Sequence, residues 1–214
     1  MLRSLVGSEM CIRDRYNIMA EYDFDAIRHK LSKYIDESRM THTLGVMYTA
    51  AALAMHYAPE GTEDELLCQA MIAGLLHDNA KCMSDAQMLE KALKHSIDVT
   101  ESERDNPFLL HGKLGAYYAA HRYGVEDEAV LSAITWHTTG RPDMTLLEKI
   151  VFTADYMEPG RTRQPNLAYI RRLAFENLDR CVYVISDDTL NYLKGKKKCI
   201  DEMTVKTRDF YKDR

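Results

Sequence analysis

The chain has 214 residues, 46% hydrophobic and 29% charged, with a net charge of −5 at neutral pH. That length suits one domain with a sizeable core, and the charge balance supplies no global basic field for nucleic acid. Five cysteines (Cys11, Cys68, Cys82, Cys181 and Cys199) are odd in number and show no C-x-x-C spacing. This argues against a disulfide framework or thiolate zinc site and fits a reducing, cytoplasmic setting.

No apolar run approaches the ~20 residues that span a bilayer, so no membrane partner is expected. Ser8 to Arg15 carries no helical or strand period and looks like foreign, adapter-derived sequence, so residues 1 to about 18 are set apart from the fold. They are expected to be a non-native or disordered leader, with Met19 as the true start and 19 to 214 as a single domain.

Nearly every later segment has helical period. Phe24, Ile27, Leu31 and Tyr34-Ile35 form one stripe, and Thr41 to Tyr57 places Val46, Ala50, Leu53 and Tyr57 on one face. Thr62 to Glu65 reads as a capping box opening the helix that leads into His77, and Ser84-x-x-Gln87 caps a short polar helix to His95. Ile97 to Asp105 reads as a loop. Asn106-Pro107 starts a helix over Phe108 to Tyr123, closed by Gly124. Glu126 to His137 is another, broken by Thr138-Thr139-Gly140-Arg141-Pro142. Thr145-x-x-Glu148 begins the helix that reaches Asp155 and stops at Pro159-Gly160. Helices fill Asn166 to Lys194, and a basic turn leads to a final segment, Ile200 to Tyr211. The fold class is all-α.

Six residues recur at helix ends or breaks: His42, His77, Asp78, His111, His137 and Asp155. Helical bundles build metal sites from side chains on facing helices, and a mixed imidazole and carboxylate set suits iron or manganese. Asp155 lies in an apolar helix, where a carboxylate needs a cationic partner. Small residues around His111 permit close backbone approach. The hydroxyls and N–H groups after His137 could hold phosphate oxygens. His29, His56, His95 and His121 have no companion motif and read as structural.

The order His42, His77-Asp78, Asp155 resembles the HD-domain metal-dependent phosphohydrolases. Five ordered motifs narrow this further: Arg39-x-x-His42-Thr43-Leu44-Gly45-Val46, Ala73-Gly74-Leu75-Leu76-His77-Asp78-x-Ala80-Lys81, Leu110-His111-Gly112, Ala133-Ile134-x-x-His137-Thr138-Thr139-Gly140, and Ala154-Asp155-Tyr156-x-Glu158-Pro159-x-Arg161. Over about residues 22 to 211 the chain resembles the YqeK family, the symmetrical bis(5′-nucleosyl)-tetraphosphatases. It departs from the family pattern at the C-terminus, where Glu202 and Arg208-Asp209 stand in place of a proline and an Arg-Asn pair.

The resemblance implies an HD-domain helical bundle with a C-terminal helical cap, hydrolysing diadenosine tetraphosphate (Ap4A) to two ADP at an iron centre, with manganese as the other candidate. It implies His42, His77, Asp78 and Asp155 as metal ligands. Arg39, Asp78, Lys81, His111, His137, Thr138, Asp155 and Arg161 are implied at the substrate, and Lys198 to Met203 as a cover over the nucleotide. Asp78 and Lys81 are the expected catalytic pair, the first holding metal and water, the second adding charge at the leaving phosphate. His111 and His137 are alternatively ligands of a second ion. The expected partners are a dinucleoside polyphosphate and a second copy of the chain, with no nucleic acid and no membrane. Two other readings stay open: a different HD-type nucleotide phosphohydrolase, or a non-catalytic helical module that binds nucleotide or metal.

Overall fold

The computed structural model describes residues 22–214; the expected leader, residues 1 to 18, lies outside them. Among the described residues the chain is all-α. Its helices are α1 (Phe24–Leu31), α2 (Glu37–Tyr57), α3 (Glu63–Leu76), α4 (Asp85–Lys94), α5 (Glu101–Asp105), a 3₁₀ turn (Pro107–Leu110), α6 (His111–Tyr123), α7 (Glu128–Trp136), α8 (Leu146–Met157), α9 (Leu167–Glu176), α10 (Leu178–Gly195) and α11 (Glu202–Tyr211). No described helix is long and apolar enough to cross a membrane.

The helix α3 is the hub, packed against α2, α7 and α8. Its residues from Ile72 onward are buried without a break through Ala80. A helix buried on all sides carries no single apolar stripe, and the run Ala70 to Leu76 contains none. Two glycines set how closely its neighbours approach. A Cβ on Gly74 would sit 2.8 Å from Met47 Cα in α2, and one on Gly112 would sit 2.5 Å from the Thr135 carbonyl oxygen in α7. These contacts draw α2 onto α3 and α6 onto α7, bringing together helices that carry the candidate ligands. The main core is continuous from Leu31 to Tyr211, with a smaller cluster of Ala80, Met88, Ala92, Leu110 and Leu114 beneath α4.

Helix starts follow local chemistry. Ser84 with Gln87 and Thr145 with Glu148 form reciprocal capping boxes, as the spacing predicts. Three local expectations are corrected. The Thr62 hydroxyl donates to the Pro59 carbonyl instead of accepting from the helix, and Glu63 accepts from Gly61 N–H. The stretch expected as loop over Ile97 to Asp105 contains α5, whose start is a Thr100–Glu103 box on a helix of 5 residues, too short for an apolar period. The helix expected from Phe108 begins as the 3₁₀ turn, so His111 becomes the first residue of α6.

The C-terminus clamps the loop after α7. Thr207 Oγ1 donates to the Thr139 carbonyl at 3.0 Å, and the buried Tyr211 hydroxyl accepts from Met144 N–H at 2.8 Å. Arg141 and Ser132 both reach the buried Glu148 carboxylate, pinning the same loop to α8. Gly74→Ala tests the role of the α2–α3 approach. Better helix propensity favours the variant by up to ~1 kcal/mol, but overpacking against backbone costs ~1–3 kcal/mol. We expect a lower urea midpoint; an unchanged or higher one contradicts the packing argument.

Candidate metal centre

The six candidate ligands converge at helix ends. His42 lies in the second turn of α2, His77 and Asp78 directly follow α3, His111 opens α6, His137 follows α7, and Asp155 sits in the last turn of α8. His77, Asp78, His111 and His137 are each at most 2% exposed. Their ligand atoms fall into overlapping groups: His42, His77 and Asp78; His77, His137 and Asp155; Asp78, His111 and His137.

Asp78 is the pivot. Its Oδ2 lies 3.7 Å from His42 Nε2 and 3.4 Å from His77 Nε2. Its Oδ1 lies 3.6 Å from His111 Nε2 and 3.4 Å from His137 Nε2. Asp155 Oδ1 completes the first side, 3.1 Å from His42 Nε2 and 3.8 Å from His77 Nε2. Asp78 Oδ1 is buried and makes no hydrogen bond, although the Lys81 ammonium stands 3.1 Å away as an ion pair.

The histidine tautomers follow from their outer partners. His77 Nδ1 donates to the Gly74 carbonyl at 2.8 Å, His111 Nδ1 to Phe108 at 2.5 Å, and His137 Nδ1 to Ile134 at 2.7 Å. His42 Nδ1 faces Glu158 Oε1 at 3.0 Å. A carbonyl or carboxylate can only accept, so each neutral ring carries its proton on Nδ1 and turns a bare Nε2 lone pair inward. Those lone pairs meet. His42 and His77 Nε2 are 3.3 Å apart, and His111 and His137 Nε2 are 3.1 Å apart. The Thr138 hydroxyl lies 2.9 Å from His111 Nε2 and 3.0 Å from His137 Nε2, but its one proton serves only one of them. Facing lone pairs repel unless a cation stands between them, so the donor set fits a metal.

Electrostatics point the same way. Burial pushes His111 down to about 3, with the Lys81 charge adding to the effect, so its ring is neutral near pH 7. Burial works against the charge on Asp78, yet the cations beside it, the Lys81 ammonium among them, hold the carboxyl well below the usual range. Burial likewise opposes ionisation of Asp155, and the Lys81 and Arg161 charges help hold it well below the usual range. Both carboxylates therefore offer anionic oxygens.

The side chains expected at the phosphates stand around this centre. Arg39 Nη1 donates to Asp78 Oδ2 at 2.7 Å, and Arg161 Nη2 to Asp155 Oδ1 at 2.5 Å. Lys81 also lies 5.2 Å from the centre of the Phe108 ring. Thr139 stands apart: its hydroxyl donates to the Gly140 carbonyl. From the expected cover, Asp201 and Met203 line a cavity with Thr138 and Trp136. His29 is exposed, His56 packs on Tyr57 and Phe175, and His95 and His121 stack on Tyr117, all away from the centre.

Sequence reasoning passed over Glu158, although it stands inside a quoted motif. Glu158 is 3% exposed, bonds His42 Nδ1, and accepts from Gly160 N–H. A Cβ on Gly45 would lie 2.6 Å from its Oε2, so that glycine keeps the space the carboxylate fills. The signal available was the lone acid between Tyr156 and Pro159, one turn after Asp155. Asn79 was passed over too; its buried amide bridges the Leu76 and Gly115 carbonyls and closes the turn that carries Asp78.

Comparison with known proteins agrees with this geometry. The HD domain family model matches residues 39–160, which include all six candidate ligands. The chain is 37% identical over 174 residues to the symmetrical bis(5′-nucleosyl)-tetraphosphatase of Halalkalibacterium halodurans, covering 81% of this chain and 89% of that protein. The protein of the same name from Bacillus subtilis is 36% identical over 78% of this chain and 86% of its own. The crystal structure of a predicted HD superfamily hydrolase involved in NAD metabolism from Clostridium acetobutylicum superposes with a TM-score of 0.83 at 35% identity, over 90% of this chain and 98% of that one. The chain therefore belongs to the HD domain family and, within it, to the YqeK family of symmetrical bis(5′-nucleosyl)-tetraphosphatases.

Proposed function

We propose that the protein hydrolyses dinucleoside tetraphosphates symmetrically, taking Ap4A and water to two ADP. The observation that carries this reading is the convergence of four bare Nε2 atoms on the two oxygens of one buried carboxylate, within relatives that bear this activity in their names. In the reaction the water oxygen joins one inner phosphorus, and the bridging oxygen leaves with the other ADP.

His42, His77, Asp78 and Asp155 would hold one divalent ion, and Asp78 with His111 and His137 a second. Iron is the ion we favour and manganese the alternative, supported by the mixed imidazole and carboxylate donor set. The chemistry such ions supply is Lewis acidity, which polarises a phosphoryl oxygen and acidifies water.

The chain's own residues do the remaining work. Hydrolysis of a polyanion is mainly a matter of neutralising charge and aiming water. The Arg39 and Arg161 guanidiniums offer planar forks to phosphate oxygens, and Lys81 offers a compact charge where the leaving ADP develops its own. Asp78 orients the attacking water. Thr138 is within reach of an oxygen on the His111 side. Glu158 is a positioning residue: it fixes the tautomer and the ring plane of His42. We read residues 19 to 214 as a single domain in which the helices after Arg161 form the cap. Among the described residues Cys82, Cys181 and Cys199 are free thiols, which supports a reducing, cytoplasmic setting.

Product identification tests the reaction: we expect ADP alone from Ap4A, whereas AMP plus ATP would contradict the symmetrical cut. Asp78→Ala should lower metal-dependent turnover by about a thousandfold or more while the far-ultraviolet circular dichroism stays helical; wild-type-like turnover refutes its role. Glu158→Gln should weaken metal affinity by ~10–100-fold, read by competition with a chelating dye. Unchanged affinity would show that Glu158 does not orient His42.

A further inference from the structure

Symmetrical cleavage of a substrate with two identical halves requires room for a nucleoside on each side of the reacting bond. This inference rests on the reading just proposed. The centre has two flanks, set by the two oxygens of Asp78. On the Oδ1 side, beyond His111, His137 and Thr138, lies a narrow cavity of about 70 Å³ that includes Trp136, Asp201 and Met203. On the Oδ2 side, beyond His42, lies a groove of about 660 Å³ between the first turns of α2 and the turn Glu158–Arg161. No residue lines both.

We propose that the groove beside His42 is a nucleoside subsite, holding the half of the substrate that points away from Thr138. Its volume falls within the ~300–1,000 Å³ of typical small-molecule pockets. Its charge is graded. Arg39 and Arg161 stand at the inner end, where each already contacts a ligand carboxylate. The outer walls are hydroxylic or small: Ser38, Thr41, Gly45, Pro159 and Gly160. Two carboxylates also line the groove: Asp36, at the N-terminus of α2, one of whose oxygens already caps Arg39 N–H, and Glu158, whose oxygens bond His42 Nδ1 and Gly160 N–H. Such a gradient suits a ligand that is anionic next to the centre and neutral beyond it. A longer polyphosphate would meet Asp36 unfavourably, whereas ribose hydroxyls can donate to it. The inner cations and the outer hydroxyls together match a nucleoside attached through its 5′-phosphates.

Thr41 offers a clean probe. It is exposed, its hydroxyl is spent on the Glu37 carbonyl, and it touches none of the candidate ligands through a hydrogen bond. Thr41→Trp fills the groove. It is compared with the wild type, metal-loaded, on Ap4A and on adenosine 5′-tetraphosphate, which has the same phosphate chain but one nucleoside. We expect Thr41→Trp to raise KM for Ap4A tenfold or more, with KM for the tetraphosphate and bound metal within twofold of wild type. An unmoved KM for Ap4A in Thr41→Trp overturns the subsite, and so does an equal loss on both substrates. The underlying reading fails separately: wild-type protein that yields AMP plus ATP, or nothing, from Ap4A removes it and the subsite together. Wild-type protein that yields two ADP, with Thr41→Trp unimpaired, removes the subsite alone.

Discussion

The rest of the molecule depends on keeping one carboxylate ionised where water cannot reach it. Asp78 is 1% exposed and stands among four imidazoles, an arginine and a lysine. An isolated buried charge is strongly unfavourable, so its environment has to be built around it. The fold does this by stopping helices at the centre. The chain leaves α3 at His77, α7 at His137 and α8 soon after Asp155, and α6 begins at His111. Helix ends have backbone carbonyls free of intrahelical partners. The Gly74 and Ile134 carbonyls, each three residues before the histidine they serve, fix its ring and direct its lone pair.

Such an arrangement costs stability that the surrounding core must offset. Pairs of facing Nε2 atoms and an unbonded carboxylate oxygen are locally unfavourable, as functional sites commonly are. The burial of α3 on all sides, the close α2–α3 contact and the clamp of α11 on the loop after His137 hold the centre in place. The cations serve twice. Arg39, Lys81 and Arg161 neutralise the ligand carboxylates within the protein, and the same long side chains suit phosphate oxygens. The partly exposed positions of Arg39 and Arg161 beside the groove connect the electrostatics of the centre to the charge the proposed substrate carries.

Much of this was legible in the sequence because the chemistry was concentrated in short motifs. The five motifs contain all six candidate ligands, and the apolar periods pointed to most of the helices that carry them. What the sequence hid was of two kinds. Elements too short for a period, such as α5 and the 3₁₀ turn before His111, left no pattern to read. Interactions between distant residues also left none. Glu158 reaches His42 across 116 positions, and the space for it is kept by Gly45, a link that only packing reveals. Thr62 failed as a cap for a related reason: Pro59 offered its hydroxyl a nearer acceptor. The groove beside His42 had no signature at all, because its walls are ordinary serine, threonine, glycine and proline.

The claim at the centre of this account is that the four Nε2 atoms and two carboxylates form a built cation site. Equilibrium dialysis of the metal-stripped, folded protein against manganese, with the bound ion counted by atomic emission, tests it most directly. The account predicts two ions per chain, displaced together by a chelator. A folded chain that takes up no manganese and no ferrous iron would contradict it.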